Sequence, residues 1–300
     1  MQTAYKQSFP EASRLILAGW RALETHKAHM SIFFKKVIII TGASEGIGRA
    51  LALALAPQQP KLILAARNEQ RLLTLAAECE QVGATSCVLP TDVTDEQACQ
   101  RLIQQTIETF GALDVLVNNA GISMRATLEE VSDLSIFDHI MKVNYLSGVY
   151  CTKYALPHLK QSKGRVVAVA SVAGLTGVPT RTGYCASKHA MMGFFESLRM
   201  ELEDAGVSIT IIAPDFVVSK IHERSFDARG QRVGESPANQ HTYQTSESCA
   251  VMILNAMEKR QRLLVTSWRG YWGRLVRIVL PKLIDGIAKK AVKEEKSITE

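Results

Sequence analysis

The chain has no C-x-x-C pair. Its six cysteines, Cys79, Cys87, Cys99, Cys151, Cys185 and Cys249, are scattered, with no histidine at zinc-ligand spacing, so neither a metal site nor a disulfide framework is indicated. They read as free thiols in a reducing compartment. No apolar run reaches the roughly 18 to 20 residues a spanning helix needs. Leu15 to Trp20 is too short, and too close to Glu11 and Arg14, for a secretory segment. Internal repeats and low-complexity tracts are absent as well. Excess charge is small, with 35 Lys and Arg against 29 Asp and Glu, and a net +6 gives no general affinity for nucleic acid. The expectation is a cytoplasmic globular protein whose partner is a small molecule.

What is present is a 300-residue chain with 47% hydrophobic residues, enough for one large core. From Lys36 onward short apolar runs alternate with longer amphipathic stretches, the pattern of βαβ units. Strands are expected at Val37–Thr41, Lys61–Ala66, Ala84–Leu89, Leu113–Asn118, Gly164–Ser171, Val207–Ala213 and Arg262–Thr266. Helices are expected to begin near Gly46, Asn68, Thr94, Leu134, Gly183 and Ser246. Runs such as Val37-Ile-Ile-Ile are apolar on both faces, as strands covered by helices on each side must be. The fold class is therefore α/β: a single domain with a doubly wound (Rossmann) parallel sheet of about seven strands and its ligand at their carboxyl ends. Residues 36–267 form the expected dinucleotide-binding and catalytic domain. Residues 1–35 read as an N-terminal arm, with Met30 a natural start, and 268–300 as a basic amphipathic C-terminal segment.

The first strand leads into Thr41-Gly42-Ala43-Ser44-Glu45-Gly46-Ile47-Gly48. Glycines here permit a tight turn and let a pyrophosphate approach backbone amides at the positive end of the next helix. Taken alone, this is also any glycine-rich βα loop. About 20 residues further, an NAD-binding unit places a carboxylate for the ribose 2′-hydroxyl, whereas an NADP-binding unit offers an arginine to the 2′-phosphate. Ala66 stands where the acid would be, and Arg67 follows it, which favours NADP(H) over NAD(H). Glu45 is a counterweight, since a carboxylate repels phosphate. Asp92 and Val93 follow the third strand, where Asp92 is placed to accept from the adenine amino group. Thr94 with Gln97 doubles as a helix-capping box. Asn118, Ala120 and Gly121 end the fourth strand, where small residues leave room for the cofactor.

Tyr184 and Lys188 are four apart at the start of a predicted helix, so they share a face. A phenol is a poor base at neutral pH, but a neighbouring ammonium favours the phenolate. Ser171 ends the fifth strand, where its hydroxyl can hold a substrate oxygen as charge develops. Asn144 lies on the long helix before that strand. Each residue alone is more often structural than catalytic; the order of all of them carries the reading.

With Asn118-Asn-Ala-Gly121, Tyr184-Cys-Ala-Ser-Lys188 and Pro214 added, the chain resembles the short-chain dehydrogenase/reductase family over about residues 35 to 260. The resemblance implies Tyr184 as general acid/base, Ser171 polarising the carbonyl, and Lys188 both binding the nicotinamide ribose and lowering the tyrosine pKa. It implies Asn144 positioning a relay water, Ser219 contacting the carboxamide, and a homodimer or homotetramer. Asp215 departs from the usual glycine after Pro214 and leaves that loop's path open.

Cys185 and His189 point about 100° away from the residues they follow and are set aside as chemical groups. The polar loop from Phe216 to Thr245 reads as a mobile lid. Residues 268–290 mix aromatic and aliphatic residues with basic ones, as an interfacial segment touching a membrane peripherally does, or one packed on its own domain or a subunit partner. The expected function is NADPH-dependent hydride transfer to or from a carbonyl or alcohol substrate, with the apolar content of the tail favouring a lipophilic one. Two rivals are a 3-oxoacyl-thioester reductase, against which the basic tail speaks, and a non-catalytic dinucleotide sensor, which has no need of Ser171, Tyr184 and Lys188 together.

Overall fold

All five residues of β1 (Val37–Thr41) are buried, because helices cover the sheet on both sides. The computed structural model describes residues 31–221, 223–234 and 244–296. The proposed start at Met30 and the arm before it lie outside them. In chain order follow α1 (Gly46–Leu55), β2 (Lys61–Ala66), α2 (Glu69–Gln81), β3 (Thr85–Pro90), α3 (Glu96–Phe110) and β4 (Val115–Asn118). The second half contains α4 (Ser135–Met141), a π-helical turn at Lys142–Leu146, α5 (Ser147–Ser162), β5 (Arg165–Val169), α6 (Thr182–Glu201) and β6 (Ser208–Ala213). The chain then runs through β7 (Val217–Val218), β8 (Gln244–Thr245), α7 (Ser246–Glu258), β9 (Leu263–Val265), α8 (Trp268–Val279) and α9 (Pro281–Lys296).

Seven strands form one sheet in the order β3-β2-β1-β4-β5-β6-β9, and every pairing is parallel. Period-two alternation divides the strand residues between two cores. Ile38 and Ile40 pack with Leu51, Leu72 and Ile253 of α1, α2 and α7. Val37 and Ile39 pack with Leu102, Leu159 and Phe195 of α3, α5 and α6. This is the expected doubly wound sheet. Its order reverses at β1/β4, so the loops after these strands splay apart and open a crevice at their carboxyl ends.

The structure trims some boundaries. β4 begins at Val115 instead of Leu113, because the Asp114 side chain is committed to the Val37 amide and Lys36 Nζ. α3 is capped by Asp95, which accepts from the Gln97 amide, and not by Thr94. Thr94 instead donates through its amide and hydroxyl to Asp92.

Candidate active site

The reversal point opens into a cleft of about 680 Å³. Gly42, Ser44, Gly46 and Ile47 line one end, together with Arg67, Asp92 and Val93. Gly42 and Gly46 have φ of +64° and +56°, a region in which side chains are strained. A Cβ on Gly42 would lie 2.9 Å from the Ala120 Cα. Gly48 does not line the cleft. It allows α1 to press on the turn, since a Cβ there would lie 2.5 Å from both Asn119 Nδ2 and the Gly42 carbonyl oxygen. Gly48→Ala is therefore expected to destabilise by about 1–3 kcal/mol through overpacking, although Gly→Ala inside a helix ordinarily stabilises. Thermal unfolding of the variant checks the sign.

Ala120 and Gly121 line the cleft as expected, but Asn118 does not. It is buried, and its Nδ2 donates to Thr152 Oγ1 at 3.0 Å, tying β4 to α5. The cleft asparagine is Asn119, whose Nδ2 donates to the Thr41 and Gly42 carbonyls at 2.9 and 3.2 Å. Two consecutive asparagines carry no local signal for which one faces the cleft.

Arg67 is exposed at the cleft edge, and Arg71, which sequence reasoning did not single out, lines it one turn of helix later. Glu45 is held between two arginines: Arg71 bonds one oxygen at 2.9 Å and Arg224 bonds the other. The expected repulsion of a phosphate by Glu45 is thereby largely neutralised. The Asp92 carboxyl is burdened by partial burial, yet the Thr94 bonds, with Arg67 and His139 nearby, outweigh this and hold it below the usual carboxylate range.

At the other end, Ser171, Tyr184 and Lys188 line one wall. Ser171 follows β5, with its hydroxyl accepting from the Ala173 amide at 3.1 Å. It lies close enough to the Tyr184 phenol to favour its ionised form. Tyr184, in the first turn of α6, sits in a third apolar cluster with Met124, Ile136 and Ala173. Lys188 is 3% exposed. Its Nζ donates to the Val169 carbonyl at 2.9 Å and lies 5.7 Å from the Tyr184 ring centroid. Burial pushes the Tyr184 phenol above its ordinary value, against the downward pull of the Ser171 hydroxyl and the Arg181 charge. The expected lowering by Lys188 is not produced by the protein alone, because burial also pushes the lysine down to about 7 and thins its charge near neutrality.

Asn144 lies in the π-helical turn, 1% exposed and off the cleft. Its Oδ1 accepts from the Ile122 amide at 2.8 Å, and its Nδ2 donates to the Ile122 carbonyl at 3.0 Å and to Ser187 Oγ at 2.9 Å. It clamps the β4 loop to α6, between Tyr184 and Lys188 in sequence. The π turn, a device common at functional sites, was invisible in an apolar pattern that reads as uninterrupted helix.

Ser219 lines the cleft, and a Cβ on Gly46 would lie 3.4 Å from its Cβ, so this loop closes over the glycine turn. Asp215 needs no positive φ. Its carboxylate accepts from Ser267 Oγ at 2.6 Å and from Arg269, which explains an acid where glycine was expected: it tethers the loop to α8. Arg181, also missed, is 7% exposed and stacks on Phe216 at 5.6 Å. The expected lid is tied at its ends by pairing of β7 with β8, and Phe226 bonds back to Ser123 and Arg125. Residues 222 and 235–243 of that loop lie outside the described residues. Cys185 and His189 are off the cleft, as expected. Among the described residues no three His, Cys, Asp or Glu side chains gather as metal ligands.

The short chain dehydrogenase family model matches residues 36–230. An 11-beta-hydroxysteroid dehydrogenase of Pinus massoniana is 37% identical over 263 residues, covering 83% of this chain and 72% of that protein. An 11-beta-hydroxysteroid dehydrogenase-like 4A of Arabidopsis thaliana is 45% identical over 183 residues, 61% of each chain. Among solved structures, a short chain dehydrogenase/reductase from Burkholderia phymatum in complex with NAD matches with a TM-score of 0.74 and 26% identity, over 84% of this chain and 95% of that one. An alcohol dehydrogenase from the archaeon Thermococcus sibiricus, complexed with 5-hydroxy-NADP, matches with a TM-score of 0.65 and 27% identity, over 77% and 94%. The chain belongs to the short-chain dehydrogenase/reductase family, as an NAD(P)-dependent oxidoreductase acting on CH–OH or carbonyl groups.

Proposed function

We propose that the chain is an NADPH-dependent reductase, able to run in reverse as a dehydrogenase, with Tyr184 as its general acid and base. The observation that carries this is the convergence of Ser171, Tyr184 and Lys188 on one wall of the cleft whose other end holds the glycine turn and Arg67. The residues fit a dinucleotide: Gly42, Ser44 and Gly46 leave a turn without bulky side chains along the cleft, and Arg67 and Arg71 offer guanidinium groups to a 2′-phosphate. When bound, NADPH supplies the hydride. Lys188 would hold the nicotinamide ribose, Ser219 the carboxamide, and Asp92 with Val93 the adenine. Ser171 donates to the substrate oxygen, and the Tyr184 hydroxyl gives that oxygen its proton. Asn144 is a positioning residue that keeps the α6 wall and the β4 loop in register.

A lipophilic substrate is supported by the apolar surroundings of Tyr184, including Ile122, Val178 and Phe226. Similarity to relatives that carry the name 11-beta-hydroxysteroid dehydrogenase supports testing steroid-like ketones first. The cytoplasm and a homodimer or homotetramer remain part of this reading, the latter measurable by sedimentation. Initial rates with NADPH and NADH against ketones of graded apolar size test the core claim. Arg67→Ala is expected to raise KM for NADPH by about tenfold to a hundredfold, the loss of one charge-assisted bond, and to leave NADH unchanged. No preference for NADPH in the parent enzyme would remove the argument.

A further inference from the structure

Helix α8 is mounted with its apolar side outward. At 3.6 residues per turn, Trp268, Tyr271, Trp272, Leu275, Ile278 and Val279 share an arc about 120° wide. Trp268, Ile278 and Val279 in that arc are 79%, 79% and 77% exposed. The opposite side faces the body. A Cβ on Gly270 would meet Val172 and Val265 side chains, Arg269 pairs with Asp215, and Arg277 donates to the Leu175 carbonyl. α9 extends the exposed apolar surface with Leu283 and Ile287. An amphipathic helix of a globular protein normally buries this face, and a contiguous exposed patch marks an interaction surface.

Charge and residue type identify the occupant. Residues 268–290 carry six basic residues against the single acid Asp285. Exposed Lys282 and Lys289 and half-exposed Arg274 flank the apolar side. A second copy of this chain would bring two cationic faces together, whereas an anionic bilayer complements them. Tryptophan and tyrosine favour the level of the lipid headgroups. Among the described residues no helix is long and apolar enough to cross a membrane, so these helices would lie on the surface. The location adds a consequence, because Val172, Asp215 and Phe216, against which α8 packs, also line the cleft.

We propose that α8 and α9 form a docking face for anionic membranes, which seats the rim of the cleft on the bilayer. The docking itself is independent of the reductase reading; only delivery of a lipophilic substrate from the bilayer rests on it. The test is co-sedimentation of the full chain with phosphatidylcholine vesicles, with and without phosphatidylglycerol. Anionic vesicles are expected to retain the protein, neutral ones to retain roughly tenfold less or lower still, and added salt to weaken retention. Ile278→Asp and the pair Lys282→Glu with Lys289→Glu should each abolish most of it, while turnover of a water-soluble ketone stays at the parent rate and reports an intact fold. Absence of retention, or retention indifferent to these substitutions, overturns the proposal. So does a dimer that Ile278→Asp converts to monomers without any vesicle binding, which makes the face a subunit interface. Failure of turnover with normal vesicle binding would strike the reductase reading and leave docking standing.

Discussion

Tyr184→Phe is expected to lower kcat by about 10²- to 10⁴-fold, the usual worth of a positioned general acid, while NADPH still binds with nearly parental affinity. The substitution removes one oxygen from a ring that remains packed among Met124, Ile136 and Ala173, so the fold should not change. A pH profile sharpens the prediction. Burial holds the phenol above its ordinary value, so at neutral pH it is protonated and ready to donate, as reduction requires. Dehydrogenation needs the phenolate, so its rate should rise with pH, whereas reduction should fall once pH passes the phenol's pKa. Both limbs should vanish in Tyr184→Phe. Stopped-flow rates in the two directions, paired with a fluorescence titration of NADPH, check the claim.

Lys188→Met is expected to abolish activity and, without added dinucleotide, to stabilise the protein. The lysine is 3% exposed, and burial pushes it from an ordinary 10.5 down to about 7. A lysine depressed in the folded state opposes folding wherever the unfolded chain holds the extra proton. Stability of the parent protein therefore rises with pH between about 7 and 10.5, and below about 7 the whole penalty remains. Replacement by Met removes a penalty on the order of a few kcal/mol, offset in part by loss of the bond to the Val169 carbonyl. The gain should be largest at pH 7 and below and shrink toward pH 10. Denaturant melts at both ends of that range measure it, and a variant less stable at both would refute the assignment.

The sheet was legible because its information is local. Val37–Thr41 and Lys61–Ala66 are apolar on both faces, and in the structure they have the expected bounds. The glycine turn and Ser171 could be located for the same reason, since each follows a strand whose end the pattern marks, and Tyr184 and Lys188 because they share a face at the start of a helix. What stayed hidden depends on contacts between distant segments. Arg224 reaches Glu45 across 179 positions of sequence, and Asp215 finds Ser267 and Arg269 beyond the last strand. Nothing local distinguishes Asn118, which bonds Thr152, from Asn119, which lines the cleft. The β7–β8 pair consists of two residues on each side, too short for any periodicity. The amphipathic character of 268–290 was visible, but its outward orientation is set by Gly270, Arg269 and Arg277 against the body, which only the fold reveals.

The central claim is that one cleft holds a phosphorylated dinucleotide at its arginine end and aligns Tyr184 and Lys188 at its other end. A crystal structure with NADPH tests it most directly. The account predicts the 2′-phosphate against Arg67 and Arg71, with the nicotinamide ribose at Lys188 and the Tyr184 hydroxyl facing the ring. A dinucleotide bound elsewhere, or a Tyr184 hydroxyl turned away from the nicotinamide, would contradict it.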